Sequence, residues 1–210
     1  MHRDDATLPE RYAALLRAGY ARDGASAARI AQGLSDEDPR ARVLALRSAR
    51  RRGLLDANAW VVALADASVE VRREAVNLVA VSAIDDARVG DAIVTALGDD
   101  DALVVEGAAF AAGEHALSGG VDALDVVART HDDARCRESA VAALGAIGDD
   151  RGRMAVITAL DDKPPVRRRA IVALSNFEGP DVDAALERAR EDRDWQVRAA
   201  VEQLTRDEVE

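Results

Sequence analysis

The sequence predicts an all-α protein built as an α-α superhelix, a solenoid of about six helical hairpins. Three observations carry that expectation. An arginine recurs at positions 42, 72, 137, 167 and 198, opening phrases such as Arg42-Val43-Leu44-Ala45, Arg72-Arg73-Glu74-Ala75, Arg137-Glu138-Ser139-Ala140 and Arg167-Arg168-Arg169-Ala170. A sixth phrase, Glu106-Gly107-Ala108-Ala109, carries the opposite charge, so successive steps are 30, 34, 31, 30 and 31 residues, a period that means stacked repeats. Finally, 49% of the 210 residues are hydrophobic but only 3% are aromatic, and a core of Ala, Val and Leu suits closely packed helices better than sheets.

Residues 8–22 come first, as a capping helix: Arg11, Ala14 and Leu15 stand 31 residues ahead of Arg42, Ala45 and Leu46, which makes this segment half a repeat. Six repeats follow, at about 24–53, 54–84, 85–117, 118–148, 149–178 and 179–210, in one domain spanning 1–210 without a linker. First helices are expected over 26–34, 58–65, 87–98, 121–130, 151–160 and 182–190, and second helices of about four turns begin near each recurrent Arg or Glu. The fifth repeat shows the pattern. Met154, Ile157 and Leu160 recur at helical spacing, an acidic and proline-bearing break follows, and Val166, Ala170, Ile171 and Leu174 resume the period. Asp161 or Asp162 can cap the second helix, Pro164 and Pro165 suit its first turn, and Gly179 is expected to end the unit in a left-handed conformation. The last helix closes the stack with the polar edge of Glu202, Arg206, Asp207, Glu208 and Glu210. Such short hairpins cannot bury their apolar faces alone, so they must stack.

The net charge is -11, with 26 Asp, 13 Glu, 27 Arg and the single lysine Lys163. Short carboxylates and near-absence of lysine match the composition of extreme halophiles, which points to a halophilic archaeal source and disfavours nucleic acid and anionic membranes as partners. One cysteine, Cys136, excludes an intramolecular disulfide and is expected as a small buried thiol. Residues 1–7 hold no apolar run of signal length, and no stretch of 18 uncharged apolar residues occurs, so a soluble cytoplasmic protein is expected.

Six residues before each Arg or Glu stands an acid, Asp36, Asp66, Asp100, Asp161 and Asp192, with His131 in the remaining repeat. This spacing resembles HEAT repeats, and the short period together with Ala143-Leu144-Gly145-Ala146-Ile147-Gly148-Asp149 is most similar to the HEAT-like repeats named after phycobilisome lyases. The resemblance implies a right-handed superhelix. It also implies a structural ladder between stacked repeats built from Asp36, Arg42, Asp66, Arg72, Arg137, Asp161, Arg167, Asp192 and Arg198, a role that suits bidentate guanidinium groups.

Where the ladder fails, Glu106 stands for Arg and His131 for Asp, and stacking could bring the two together. Glu106, Glu114, His115 and His131 are therefore candidates for a metal-binding or small-ligand notch. Enzymatic precedents on this architecture transfer poorly. Deoxyhypusine hydroxylase needs His-Glu pairs after the helix-opening residue, and the corresponding pairs here include Val43-Leu44, Arg73-Glu74 and Glu138-Ser139. A bilin lyase-like activity would need an aromatic-rich basic pocket, and a DNA glycosylase a basic face, neither of which suits this composition.

HEAT-type solenoids line their concave face with the second helices. Arg47, Arg50, Arg51, Arg73, Asn77, Gly107, Ala111, Ala142, Arg168, Ser175 and Asn176 are expected there, giving arginines at both ends and small residues in the middle. The sequence thus points to a non-catalytic scaffold or adaptor, without catalytic residues or cofactor, that binds a protein partner such as an acidic helix or tail through Arg47, Arg73, Asn77, Arg168 and Asn176. A regulatory subunit of an enzyme or signalling complex is the alternative within the same class.

Overall fold

The computed structural model describes residues 7–207, with the backbone alone for Arg206 and Asp207. Glu208, Val209 and Glu210, expected at the polar edge, lie outside the described residues, as do residues 1–6. Among the described residues there are thirteen α-helices and no strand. They are α1 (Leu8–Ala18), α2 (Gly24–Gly33), α3 (Pro39–Arg52), α4 (Ala57–Leu64), α5 (Val69–Ala80), α6 (Ala87–Ala96), α7 (Ala102–Glu114), α8 (Val121–Thr130), α9 (Ala134–Ile147), α10 (Arg153–Thr158), α11 (Pro164–Leu174), α12 (Pro180–Ala189) and α13 (Trp195–Asp207). No helix is long and apolar enough to cross a membrane.

The chain falls into two compact units, Met1–Ala92 and Ile93–Glu210. In the N-terminal unit, α1 and α3 enclose Leu15, Ala41 and Ala45, and a second cluster joins Ala18, Ile30 and Ala49. Ser48, fully buried on α3, donates from Oγ to the carbonyl of Leu15 at 3.0 Å. In the C-terminal unit, α7 packs on α9, α9 on α11 and α11 on α13. Ile171, Val197, Val201 and Ala189 form one of its clusters. The α9–α11 approach requires glycine, because a Cβ on Gly145 would come within 2.6 Å of the Ala173 Cβ.

Helix starts follow from aspartate chemistry. Asp23, Asp38, Asp56, Asp101 and Asp133 each accept a backbone N–H from the first turn of the helix they precede, answering donors that have no partner inside the helix.

The fifth repeat departs from expectation. Neither Asp161 nor Asp162 caps α11. Lys163 occupies that position and makes no side-chain cap, while Pro164 and Pro165 fill the first turn. Gly179 does not terminate α11, which ends at Leu174 with Ser175 still in the right-handed region. Instead it precedes α12 at φ 135°, a conformation open to glycine, and so turns the chain into the next helix. The expected first helix over 151–160 is split, with 3-10 turns at 150–152 and 159–161 around a short α10.

Candidate partner-binding grooves on the second helices

The recurrent arginine is the fourth residue of its helix in α1, α3, α5, α9, α11 and α13. From there Arg11, Arg42, Arg137 and Arg167 each reach the turn acid of the next repeat. Arg42 donates from Nη1 to the carbonyl of Asp36 at 2.8 Å and holds Asp66 through Nε and Nη2 at 2.8 and 2.6 Å. Arg137 grips the carbonyl of His131 and the carboxylate of Asp162; Arg167 grips the carbonyl of Asp162 and the carboxylate of Asp192. Arg11 reaches Asp36, Arg72 donates to the carbonyl of Asp66, and Arg198 donates to that of Asp192. Each turn acid also accepts a backbone N–H two residues on in Asp36, Asp66 and Asp192. The guanidinium contacts hold Asp162 and Asp192 below the ordinary carboxylate range. Burial alone would raise Asp66, but Arg42 and the Ser68 N–H bring it below that range as well.

Two ladder assignments need correction. The fifth rung is Asp162 rather than Asp161, because α11 starts two residues after the turn acid there and three residues after it elsewhere. In the third repeat the turn acid is Asp99, which accepts the Asp101 N–H, rather than Asp100. Helix α7 starts three residues later, so its fourth residue is Val105, not Glu106. The burial pattern agrees: Ala45, Leu46 and Ala49 after Arg42 correspond to the buried Ala108, Ala109 and Ala112 after Val105. Val105 is itself only 1% exposed. The residue that replaces the arginine is therefore a buried valine, and Glu106 sits one position further round the helix.

That one-residue difference decides where Glu106 points. Consecutive helical residues diverge by about 100°, so a side chain one position past the ladder leaves the stack and joins the face of the second helices. The facing turn is adapted to the loss. His131 accepts the Asp133 N–H at Nδ1, taking over the local task of the aspartate carboxylate without bringing a buried negative charge that no guanidinium would neutralise. No hydrogen bond or ion pair joins Glu106 to His131 among the described residues.

Each unit carries a groove on its second helices. In the N-terminal unit α3 and α5 frame one of 730 Å³, lined by Arg47, Arg50 and Arg51 over Leu55, Trp60, Leu78 and Val81, with Glu74 as its carboxylate. Arg47 pairs with Glu74 through two bonds of 2.7 and 2.6 Å, Arg50 donates to Val81 and Ser82, and Arg51 lies 4.2 Å over the Tyr20 ring. In the C-terminal unit α7, α9 and α11 frame a groove of 570 Å³, where Phe110, Gly113, Ala142, Ala143 and Ala146 lie among Glu106, Glu114, Glu138, Arg135 and Arg169. Both basic residues there have acidic neighbours. Arg135 binds Asp133, whose carboxyl is pulled down to about 2, and Arg169 lies 3.5 Å from Glu138.

Of the five residues expected to hold a partner, Arg47 lines the first groove. Arg73, Asn77, Arg168 and Asn176 lie outside both; Arg168 donates to Gln196 and Asn176 to Ser175. The metal candidates do not converge. Glu106 and Glu114 line the second groove, but His115 ends α7 and His131 serves its own turn. No group of three or more His, Cys, Asp or Glu among the described residues could hold a metal ion. Cys136 is buried, donates to the Ala102 carbonyl at 3.1 Å, and is pushed up to about 11 by burial, which makes it a poor nucleophile. Phe110 was not singled out by sequence reasoning. Its signal is position: it stands five residues beyond the ladder residue of α7, as Arg47 does in α3, yet half its surface is exposed.

Residues 121–205 match the family described as HEAT repeats. This segment of the chain consists of HEAT repeats. Solved structures with the same fold include an engineered protein (21% identity, TM-score 0.66, covering 85% of this chain and 94% of that one). A designed armadillo repeat protein in complex with the peptide (KR)4 aligns at 18% identity and TM-score 0.60, covering 96% and 99%. Human deoxyhypusine hydroxylase in complex with glycerol aligns at 19% identity and TM-score 0.50, covering 96% and 80%. At these identities the likeness is one of fold. No curated protein sequence matches the chain.

Proposed function

We propose that this helical-repeat protein is a non-catalytic scaffold that holds a protein partner on its second helices, with an acidic segment seated in the α3–α5 groove. The observation that carries this reading is the groove itself, where three arginines face one glutamate over an apolar floor of Leu55, Trp60, Leu78 and Val81. Each guanidinium has five N–H donors, and the hydrogen bonds of Arg47 and Arg50 each engage two nitrogens, so charge and donors remain for a carboxylate ligand. The apolar floor would supply affinity and the arginines orientation and partner choice. A designed armadillo repeat protein of like fold is in complex with the peptide (KR)4, which supports reading the repeat face as a peptide-binding surface. The deoxyhypusine hydroxylase likeness does not extend to chemistry, since the pairs after the helix-opening residues contain no His-Glu.

The test is fluorescence anisotropy of a labelled octapeptide of alternating Asp and Glu. Wild-type chain is expected to bind it, and the double substitution Arg50→Glu with Arg51→Glu to weaken binding at least about 10-fold, equal to about 1.4 kcal/mol, with the unfolding midpoint retained. Equal affinity of the two proteins would overturn the assignment of this groove.

A further inference from the structure

The groove of the C-terminal unit presents the opposite chemistry, and we infer that it is a docking site for a basic segment whose Arg or Lys side chain lies over Phe110 between Glu106 and Glu114. The inference rests on the reading of the second helices as a binding surface, but on different residues from the arginine groove.

The first observation is a stripe on α7. Glu106, Phe110 and Glu114 follow one another at four-residue spacing, so they lie along one side of the helix about 6 Å apart per step. All three line the 570 Å³ groove. A cation within about 6 Å of the ring centroid interacts favourably with the ring face, and a group placed there is also flanked by a carboxylate one helical turn to either side. The acid–aromatic–acid order thus defines a ligand by charge and by shape together.

The second observation concerns which charges are spent. The Glu106 and Glu114 carboxylates make no hydrogen bond or ion pair among the described residues; Arg135 is bound to Asp133 and also feels the charge of Glu106 at longer range, and Arg169 is drawn to Glu138. The lining sets three glutamates, Glu106, Glu114 and Glu138, against two arginines, so the groove is net negative.

The third observation is the exposure of Phe110. It is one of two phenylalanines in the chain and is 51% exposed, while the other, Phe177, is 7% exposed. Around it the surface is made of Gly113, Ala142, Ala143 and Ala146, and the helices approach so closely that a Cβ on Gly113 would come within 3.0 Å of the Ala143 Cα. The small residues leave room beside the ring for the aliphatic stem of a long basic side chain, which buries its methylenes while its charged end meets the carboxylates. About four residues of extended chain span the roughly 12 Å between the Glu106 and Glu114 positions, so one bound segment can present basic side chains to both.

The experiment uses the full chain in potassium chloride at a concentration where far-UV circular dichroism shows it folded, and a labelled octapeptide of alternating Arg and Lys. Wild-type chain is expected to bind the probe. Glu106→Gln with Glu114→Gln, which keeps side-chain size, is expected to lower affinity at least about 10-fold, and Phe110→Leu about 3-fold or more. A charge-matched control, Glu178→Gln with Asp183→Asn, is expected to leave affinity within about 2-fold. Equal losses in the groove and control variants would mean diffuse attraction to an acidic surface and would overturn the proposal, as would failure of the wild-type chain to bind. The acidic octapeptide, run in parallel, reports on the arginine groove alone: its binding should be unchanged by the α7 substitutions. Loss of the acidic arm with the basic arm intact would remove the α3–α5 reading and leave this one standing.

Discussion

The α3–α5 region and the α7–α9 region are built from the same parts and differ in where their charges go. In the first, Arg42 occupies the fourth position of its helix and closes a rung on Asp66, while arginines further along α3 line the groove. In the second, Val105 takes the fourth position, His131 replaces the turn aspartate, and the charge that follows, Glu106, faces the groove. The difference teaches that stacking and binding are separated by a single residue of helical register. Arg42 at the ladder position is consumed by the neighbouring turn, whereas in α7 the charge stands one step on and lines the groove.

The largest effect should come from breaking a regular rung. Arg167 and Asp192 are 5% and 15% exposed, so Asp192→Ala leaves a nearly buried guanidinium without its carboxylate. We expect a loss of about 3 kcal/mol in chemical denaturation, against less than about 1 kcal/mol for Asp150→Ala, whose side chain is 74% exposed. The same pairs set an acid limb. Asp162 and Asp192 titrate below their ordinary value of 3.8 in the folded state, so their stabilisation is complete above that value and lost as pH falls below it. Unfolding midpoints followed from pH 6 to pH 2 should decline on that side, and a decline beginning above pH 5 would point to other groups.

A sharper probe converts one region into the other. His131→Asp alone adds a carboxylate with no guanidinium, and Val105→Arg alone buries a guanidinium with no carboxylate, so both should destabilise. Together they rebuild a rung, and a double-mutant cycle should return a favourable coupling of about 1–3 kcal/mol. Additive losses would contradict the assignment of Val105 to the ladder position.

The smallest effect lies in the turn after α7. Ala116 adopts φ 47°, left-handed backbone that costs a non-glycine residue about 1–2 kcal/mol. Ala116→Gly should stabilise by up to about 1 kcal/mol in the same denaturation measurement, since glycine removes the Cβ clash but is more flexible when unfolded.

The helical repeats were legible because burial imposes a period on the sequence, and Arg42, Arg72, Arg137, Arg167 and Arg198 mark that period with one side chain per repeat. Counting from those arginines misplaced the third repeat. Glu106-Gly107-Ala108-Ala109 imitates the recurrent phrase one residue late, and the true register is marked only by buried Val105, Ala108, Ala109 and Ala112, which look alike in an alanine-rich helix. The six-residue spacing likewise picked Asp161 for the fifth rung, and the shorter turn before Pro164 puts Asp162 there instead. The grooves were less legible still. Arg47 was expected on the binding face, but its pairing with Glu74 depends on a contact between α3 and α5 that spacing alone does not specify, and Phe110 reads as one more core residue in an apolar run.

The most direct test of binding at the second helices is a nuclear magnetic resonance titration of isotope-labelled chain with the acidic and basic octapeptides in turn. The account predicts two separate sets of shifted signals, the acidic peptide moving Arg47, Arg50, Arg51 and the Trp60 indole, and the basic peptide moving Phe110, Ala142 and Ala146. Shifts scattered over the first helices, or one common set for both peptides, would contradict it.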